Sequence, residues 1–415
     1  MRLLMRWLQA IGISLVIWLA MPGTGAWAAS GPAEPSLQAA RQDDGSQAAA
    51  DLNDKLAKEQ AQAYGTDTVE AYWNKLVTEY GGYFPDGSMP SFVEMITPGG
   101  EGLKLGTVLS GLMKMLLHEV LYNGKLLVSI VLLAIFSSIL QTLQSAFERN
   151  MVSQVAYSVA YMVLIVLAVN SFHVAIGYAR DAIESMIQFM MAMIPLLLTL
   201  IASTGSVATV TLLHPVIIFM VNTVGTLIYT IVFPLFFFSA VLHIASSLSD
   251  RFKVTQLANL LRTTGAGILG VMLTIFLGVI SVQGAAGSVT DGMTLRTAKF
   301  ISGSFVPVVG RTFSDAADTV ISASMMAKNA VGLAGVIILL FLCAFPAIKI
   351  LALAAIYNVS GAVLQPLGSS PITTCLLTIG KTMLFVFGAL AAVSLMFFLA
   401  VTIILTAGNA MIMMR

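Results

Sequence analysis

The sequence predicts an all-α, polytopic integral membrane protein, and three observations carry that prediction. Of the 415 residues, 58% are hydrophobic and only 10% are charged, whereas soluble domains contain about 25% charged residues. The mean hydropathy is +0.90, so the chain has too few polar side chains to cover a water-facing surface. Uncharged runs also recur at the length of about 20 residues that a membrane-spanning helix needs.

Charge divides the chain into two regions. Residues 29–105 contain twelve acidic and five basic residues, whereas residues 106–415 contain eight acidic and fourteen basic ones. An acidic region outside the membrane and a basic membrane region are therefore expected. The near balance of the whole chain gives no reason to expect a nucleic acid as partner.

Residues 1–28 have the features of a cleavable secretory signal peptide. Two arginines precede an apolar core from Leu8 to Ala20, and Ala26 and Ala28 occupy the two positions where a signal peptidase requires small side chains. We expect cleavage after Ala28, and a retained first membrane helix is the alternative. In both cases the following acidic segment starts outside the cytoplasm.

Two segments separate this leader from the membrane helices. Residues 29–60, rich in Ala, Gln, Asp and Ser, predict a flexible tether. Residues 61–105 predict a small extracytoplasmic acidic helical domain, in which Tyr72, Trp73 and Tyr80 share one face of an amphipathic helix. Because one such helix has no core of its own, its aromatic face must pack on the rest of this domain, on the membrane surface or on a partner. The three aromatic residues are candidate partner-docking residues.

The remaining chain predicts about eight transmembrane helices, with seven to nine compatible with the pattern. Residues 106–125 predict an interfacial amphipathic helix, and residues 126–415 predict the transmembrane domain, with breaks near Thr204 and Gly205 and at Pro234. The candidate spans are 126–147, 150–179, three crossings within 186–249, 263–284, 329–348, a shorter one at 350–367, and 382–408.

The basic loop at 250–262 fixes the expected orientation, because Lys and Arg are retained on the cytoplasmic side of short loops. With an extracytoplasmic amino terminus, five crossings place Arg251, Lys253 and Arg262 in the cytoplasm and residues 285–328 on the outer face. Nine crossings would place Arg415 in the cytoplasm. The three bases are a candidate docking site for an acidic partner, although membrane anchoring alone also explains them.

A weak regularity suggests an internal duplication. Pro195 and Pro234 are 39 residues apart, as are Pro307 and Pro346, and the shift between the pairs is 112 residues. The motifs VSQVA at 152 and VTQLA at 254 give a looser second match. A duplicated unit is common in transporters, but the identity across the shift is low enough for chance to produce it.

The small-residue run SVQGAAGSVTDGMTLRTAKF, residues 281–300, has two interpretations. The first is a short interfacial helix, capped by Asp291, from which Arg296 and Lys299 reach the lipid headgroups while the glycines allow close helix packing. The second is a re-entrant pair of helices around a cavity. The residues presented to that cavity would be Arg296, Lys299, Arg311, Asp315 and Asp318.

Lys349, three residues after Pro346, is the other candidate conduit residue. A lysine at the middle of a membrane costs about 3 kcal/mol unless it is partnered or hydrated. Alternatively, its ammonium group reaches the interface from a helix end.

No pattern in the sequence indicates an enzyme, a metal site or a cofactor. The chain contains neither H-E-x-x-H nor G-x-S-x-G nor a phosphate-binding loop, and its four histidines are scattered. Cys343 and Cys375 lie in apolar stretches and are interpreted as core residues. Because the chain has no phosphate-binding loop, any ATP-driven step must come from another chain.

Several stretches resemble the stage III sporulation protein AE family of endospore-forming Firmicutes, and the resemblance runs from about residue 62 to the carboxyl end. These stretches are AYWNKLVTEYGGYFP (71–85), VLYNGKLL (120–127), AYMVLIVLAVNSFHVAI (160–176), KVTQLANLLR (253–262), FLGVISVQGAAGSVTDGMTLRTAKF (276–300) and CAFPAIKILALA (343–354).

The resemblance implies a multi-pass component of the mother-cell membrane around the forespore. Such proteins are thought to build a channel or secretion-like complex across the two membranes with the other proteins of their operon, including a secretion-type ATPase and ring-forming proteins of the intermembrane space. The resemblance implies that this complex is required for endospore formation and for late forespore gene expression. A homo-oligomer is possible. The alternatives are a self-sufficient secondary transporter for a small solute and a passive membrane scaffold for the ring proteins. The resemblance implies no catalytic or ligand-binding residues.

Overall fold

Long α-helices that run side by side make up the described part of the chain. The computed structural model describes residues 66–84, 89–92, 105–146, 151–248, 253–305, 309–367 and 371–413, and none of these residues is in a β-strand. The helices are α1 (Asp67–Tyr80), α2 (Leu105–Tyr122), α3 (Gly124–Ala146), α4 (Met151–Ser203), α5 (Val207–Leu227), α6 (Phe233–Leu248), α7 (Thr255–Phe305), α8 (Val309–Leu364) and α9 (Pro371–Met413). Short 3₁₀ turns at Gly81–Tyr83 and Gln365–Leu367 follow α1 and α8, and a π-helical turn, Ile228–Val232, joins α5 to α6 without a break.

Contacts between neighbouring helices define one end of the bundle, which we call the Asp291 end. Here the backbone N–H of Thr209 on α5 donates to Asp291 on α7 at 2.9 Å. At the same end, the Lys328 ammonium on α8 donates to the Leu405 carbonyl on α9 at 3.3 Å. The turn between α4 and α5 also lies at this end, since it immediately precedes Thr209.

The opposite end, which we call the Thr255 end, is defined in the same way. The hydroxyl of Thr255 on α7 lies 2.7 Å from that of Ser246 on α6. The Tyr161 hydroxyl on α4 lies 2.6 Å from Ser247 on α6. Because only four residues separate α3 from α4, α3 also ends here.

The described helices therefore pass six times between the two ends. α2 and α3 meet at a bend of 48° and, taken together as one broken span, form one pass. α4, the continuous α5–α6 helix, α7, α8 and α9 form the other five. It follows that α2 begins, and α9 ends, on the side of the Asp291 end.

Within the described residues, five helices are long and apolar enough to cross a membrane, and the bent α2–α3 pair raises the number to six. The predicted count of eight is not confirmed. Three expected reversals are absent, because α4 continues through the charged residues Arg180, Asp181 and Glu184, the α5–α6 helix continues through Pro234, and α8 continues through Lys349, which joins the predicted spans 329–348 and 350–367. The break near Thr204 and Gly205 is confirmed.

Gly205 explains why the chain reverses at that break. Its φ of 90° lies in the left-handed region, which glycine adopts without steric cost. Its N–H donates to Ala202 at 2.9 Å, and the Ser206 N–H donates to Ile201 at 3.4 Å. These bonds satisfy carbonyls at the end of α4, so the turn is closed without a long loop.

The core lies where α8 and α9 pack on each other and on α4. Tyr357 of α8 is fully buried. Its hydroxyl donates to Ser171 at 2.9 Å and to the Leu167 carbonyl at 3.2 Å, both on α4. Because an unpaired hydroxyl is costly in an apolar interior, these two bonds fix the register of α8 against α4.

Two helix hairpins repeat along the chain with the same direction. α4 and α7 both begin at the Thr255 end, and they end at Ser203 and Phe305, which are 102 residues apart. The partner helices begin at Val207 and Val309, again 102 residues apart. This spacing equals the separation of VSQVA at 152 and VTQLA at 254, whereas the proline pairs are shifted by 112 residues. The duplication itself stays a prediction.

The predicted signal peptide (1–28) and tether (29–60) lie outside the described residues. Of the predicted domain at 61–105, the structure describes residues 66–84 and 89–92 and the start of α2.

Candidate functional site

The aromatic face of α1 packs in a groove between α4 and α8. The helix begins with Asp67 and Glu70 in its first turn, which suits the positive end of the helix dipole. Its buried side chains recur at helical spacing, so one face is fully covered. They are Val69, Trp73, Leu76 and Tyr80.

Trp73 anchors this helix. Its side chain is 0% exposed, and its indole N–H donates to the Pro90 carbonyl at 2.9 Å. The indole ring lies 6.0 Å from the ring of Phe341 on α8. Trp73, predicted as a candidate partner-docking residue, is therefore an intramolecular contact, because the bundle itself covers the aromatic face.

Tyr72 and Tyr80 extend the contact on either side. The Tyr72 ring meets Phe189 of α4 edge-on at 5.2 Å. The Tyr80 ring stacks on Phe345 of α8, with centroids 3.8 Å apart and planes 17° from parallel. Both residues thus hold α1 on the bundle, although Tyr72 remains partly exposed.

Lys349 lies in the same groove, beside the carboxyl end of α1. Its ammonium nitrogen is 5.9 Å from the Tyr80 ring centre and 5.4 Å from that of Tyr178 on α4. Lys349 is one helical turn after Pro346 and is partly exposed. Two aromatic faces therefore stabilise its charge, which the sequence had left either at mid-membrane or at a helix end.

A cavity of about 270 Å³ opens beside Lys349, between α1, α4 and α8. Its lining carries both signs of charge, from Lys75 and Lys349 and from Glu79 and Asp181. Burial, and then the adjacent Glu79 carboxylate, raise the pKa of Tyr80 above its ordinary value.

Pro346 adds a backbone feature to the wall of this cavity. Proline has no N–H to donate to the carbonyl of Leu342, four residues earlier, and both residues line the cavity. The arrangement combines cations, anions and aromatic walls. The cavity can bind a small polar group that carries one positive and one negative charge.

Asp291 has a different role from the one that the sequence suggested. We expected it to cap a short helix that it begins, but it lies inside the continuous α7 helix and is only 3% exposed. Its carboxylate oxygens accept the N–H groups of Ala208 at 2.8 Å and Thr209 at 2.9 Å. Asp291 thus caps α5, whose own N-cap residue, Ser206, makes no capping side-chain bond.

Gly287 allows Asp291 to reach α5. A Cβ atom at this position would lie 2.6 Å from the Thr209 Cα, which is too close for two carbon atoms. We expect Gly287→Ala to separate α7 from α5 and to lower the free energy of unfolding in detergent by about 1–3 kcal/mol. Gly278→Ala is the matched control, because its Cβ would meet nothing within 4 Å, and it should be neutral or stabilising. Equal effects of the two substitutions would contradict this role of Gly287.

Lys328 is the buried charge that the sequence analysis missed. It is 0% exposed, and its ammonium group donates to the Leu405 carbonyl at 3.3 Å. Its position at the border of the apolar run 329–348 was the available signal. The sequence did not show that α8 places Lys328 inside the bundle.

The other predicted conduit residues lie around the junction of α7 and α8. Arg296, Lys299, Arg311, Asp315 and Asp318 are in helical backbone, but their side chains lie outside what the structure describes. The interpretations of residues 281–300 and of the following segment therefore stay predictions for these side chains.

The predicted basic docking site is described in part. Lys253 is exposed just before α7. Arg262 instead packs within the bundle, where its guanidinium group lies 4.9 Å from the Phe385 ring centre and donates to Asn259 at 2.7 Å. Arg251 lies outside the described residues.

Among the described residues, no group of three or more His, Cys, Asp or Glu side chains could hold a metal ion. Both cysteines are buried and free.

Comparison with known proteins gives a consistent result. Residues 88–408 match the profile of a family described as stage III sporulation protein AE. The chain is also 55% identical to the stage III sporulation protein AE of Bacillus subtilis (strain 168) over 366 residues, which cover 88% of this chain and 92% of that protein. No solved structure matches the chain.

Proposed function

The chain belongs to the stage III sporulation protein AE family, and we propose that it is a membrane component of a channel between the mother cell and the forespore. The family supports a role in sporulation. The long apolar helices indicate a multi-pass membrane protein. The channel, its partners and its place in the mother-cell membrane are the proposal.

One observation carries this proposal, namely that the apolar helices are longer than a bilayer. The five candidate spans contain 37 to 49 residues, whereas about 20 residues cross the hydrocarbon core. Exposed apolar side chains on α7 extend from Leu257 to Met293, a length of about 54 Å. Because lipid covers only about 30 Å of such a face, a protein partner is needed to cover the remainder.

The proposed orientation places the Asp291 end, α1 and the carboxyl terminus outside the cytoplasm. The loop that precedes α7, with Arg251 and Lys253, then faces the mother-cell cytoplasm, in agreement with the retention of bases on that side. In this orientation the projecting halves of the helices meet ring-forming proteins of the intermembrane space. A secretion-type ATPase meets the cytoplasmic loop.

The ATPase contact makes a testable prediction. We expect the double variant Arg251→Glu and Lys253→Glu to reduce co-purification of the ATPase at least about fivefold, because it reverses a charge-complementary surface. Arg262 is left intact, since it packs on Phe385 inside the bundle. Unchanged recruitment would contradict docking at this loop. Cysteine labelling of the same variant checks that its topology is unaltered.

The alternatives make different predictions. A self-sufficient secondary transporter draws support from the mixed-charge cavity beside Lys349, and it should move a solute in liposomes without any partner. A passive scaffold should still function after alanine substitution of Arg296, Lys299 and Arg311. A conduit with the same substitutions should assemble and fail.

The proposal itself is tested in sporulating cells that lack the chain. A late forespore reporter should fall sharply while an early one is unaffected, and the intact chain should restore the late signal. A normal late signal in cells without the chain would exclude the proposed role.

A further inference from the structure

Aromatic and basic side chains occur together at one level of the bundle. Lys349 lies between the rings of Tyr80 and Tyr178, at 5.9 and 5.4 Å from their centres. At the same level, the Arg180 guanidinium lies 5.2 Å from the ring centre of Tyr229 in the π-helical turn. The Tyr229 hydroxyl donates to the Arg180 carbonyl at 3.3 Å, so α4 and the α5–α6 helix are tied together here.

Aromatic side chains of α2 also lie at this level. His118 lies 5.4 Å from the Tyr83 ring and 6.3 Å from the Tyr122 ring. Tyrosines and bases gathered at one level are typical of the boundary between hydrocarbon and water. We call this set of residues the aromatic belt.

Along two segments of the bundle, the length from the level of the aromatic belt to the Thr255 end is close to the thickness of a hydrocarbon core. From Tyr229 to Leu248 the helix rises about 29 Å, and from Lys125 to Ala146 it rises about 32 Å. A typical core measures about 30 Å.

Large apolar side chains are exposed on the lateral surface of this layer, where lipid tails can contact them. On α3 and α4 the exposed ones include Val128, Leu132, Phe136, Val155, Val159 and Val166. The aromatic belt therefore marks the level of the lipid headgroups on the side of the Asp291 end.

The cavity beside Lys349 opens at this headgroup level. Its two lysines and two acids give no net charge, and their lining positions lie on three different helices. A site of this kind favours a zwitterion over an anion. A bound anion occupies the two lysines and leaves the two carboxylates without a cation, whereas a zwitterion supplies one. Leu76 and Leu342 add apolar surface to the lining.

We propose that this cavity binds the headgroup of phosphatidylethanolamine. Lys349 and Lys75 bind the phosphate, while Glu79 and Asp181 bind the ethanolamine ammonium group. The acyl chains extend from this headgroup past the aromatic belt into the lipid layer. The inference requires only that the chain crosses a bilayer, and it does not depend on the channel function.

The test uses the full-length chain in detergent with equal concentrations of phosphatidylethanolamine and phosphatidylglycerol, and native mass spectrometry counts the bound lipids. We expect phosphatidylethanolamine to be preferred about fivefold, the size of effect that one well-placed charge pair gives. Lys349→Gln should abolish the preference and Lys349→Arg should keep it. Lys381→Gln, an exposed lysine of α9 away from the cavity, is the control and should have no effect.

A second variant separates loss of the site from loss of the fold. Glu79→Gln leaves the cavity with an excess positive charge, so the preference should reverse towards phosphatidylglycerol. An unfolded site cannot produce that reversal. Equal binding of the two lipids by the unmodified chain, or an unchanged preference in Glu79→Gln, would overturn the proposal.

Soluble O-phosphoethanolamine distinguishes a lipid from a free ligand. Because the acyl chains contribute to binding, the soluble compound should not displace the lipid at equal concentration. Displacement at equal concentration would show that the site takes a free solute and would overturn the lipid assignment.

Discussion

Replacing Trp73 with alanine is expected to lower the free energy of unfolding by about 3–5 kcal/mol and to release α1 from the bundle. The substitution empties a fully buried site between α1 and Phe341. It also leaves the Pro90 carbonyl without its indole donor. Thermal unfolding in detergent, together with the rate at which protease cleaves α1, measures both effects.

Two further variants make this prediction specific. Trp73→Phe keeps most of the ring and removes only the N–H donor, so we expect a smaller loss of about 1 kcal/mol. Tyr122→Ala removes an aromatic side chain that is 77% exposed and should change stability by less than about 0.5 kcal/mol. If Trp73→Ala were no more disruptive than Tyr122→Ala, α1 would not be docked as described.

Asp291→Ala is expected to have the next largest effect, a loss of about 3 kcal/mol. The aspartate accepts the N–H groups of both Ala208 and Thr209 at the start of α5. Without it, these two donors are left without an acceptor in a buried site, and the positive end of the α5 dipole loses its anion.

The stability of Asp291→Asn should lie between that of the unmodified chain and that of Asp291→Ala, because its amide keeps one acceptor oxygen. Glu184→Ala is the control, since Glu184 is an exposed acid of α4. Chemical denaturation of the four proteins in one detergent measures the differences. A similar loss for Glu184→Ala and Asp291→Ala would contradict a capping role.

The helical membrane class and the amphipathic α1 helix could be predicted from the sequence because composition and helical periodicity determine them. The three aromatic residues of α1 were recognised in the same way. Their partners were not, since Phe189, Phe341 and Phe345 look like any other apolar residues of a membrane helix. The reversal at Gly205 was predicted from residue type alone.

The number of passes could not be predicted, and the reason is local chemistry. Counting assumed that charges end a span, so the residues from Arg180 to Glu184 divided α4 into two. In the structure Arg180 interacts with Tyr229, and Asp181 lines the cavity. The helix therefore continues through its charged segment.

The roles of Asp291 and Lys328 could not be predicted either, because each depends on a distant contact. Asp291 binds backbone groups 82 and 83 residues away. Lys328 binds a carbonyl 77 residues away. No short sequence motif records such contacts.

Labelling of single cysteines tests the central claim that six passes place α1 and the carboxyl terminus on the same face. The two native cysteines are replaced by alanine, and cysteine is introduced at Lys75, Lys253 or Arg415. An impermeant maleimide added to right-side-out vesicles should label Lys75→Cys and Arg415→Cys, and it should label Lys253→Cys only after the vesicles are opened. Labelling of Arg415→Cys from the same side as Lys253→Cys would contradict the six-pass arrangement.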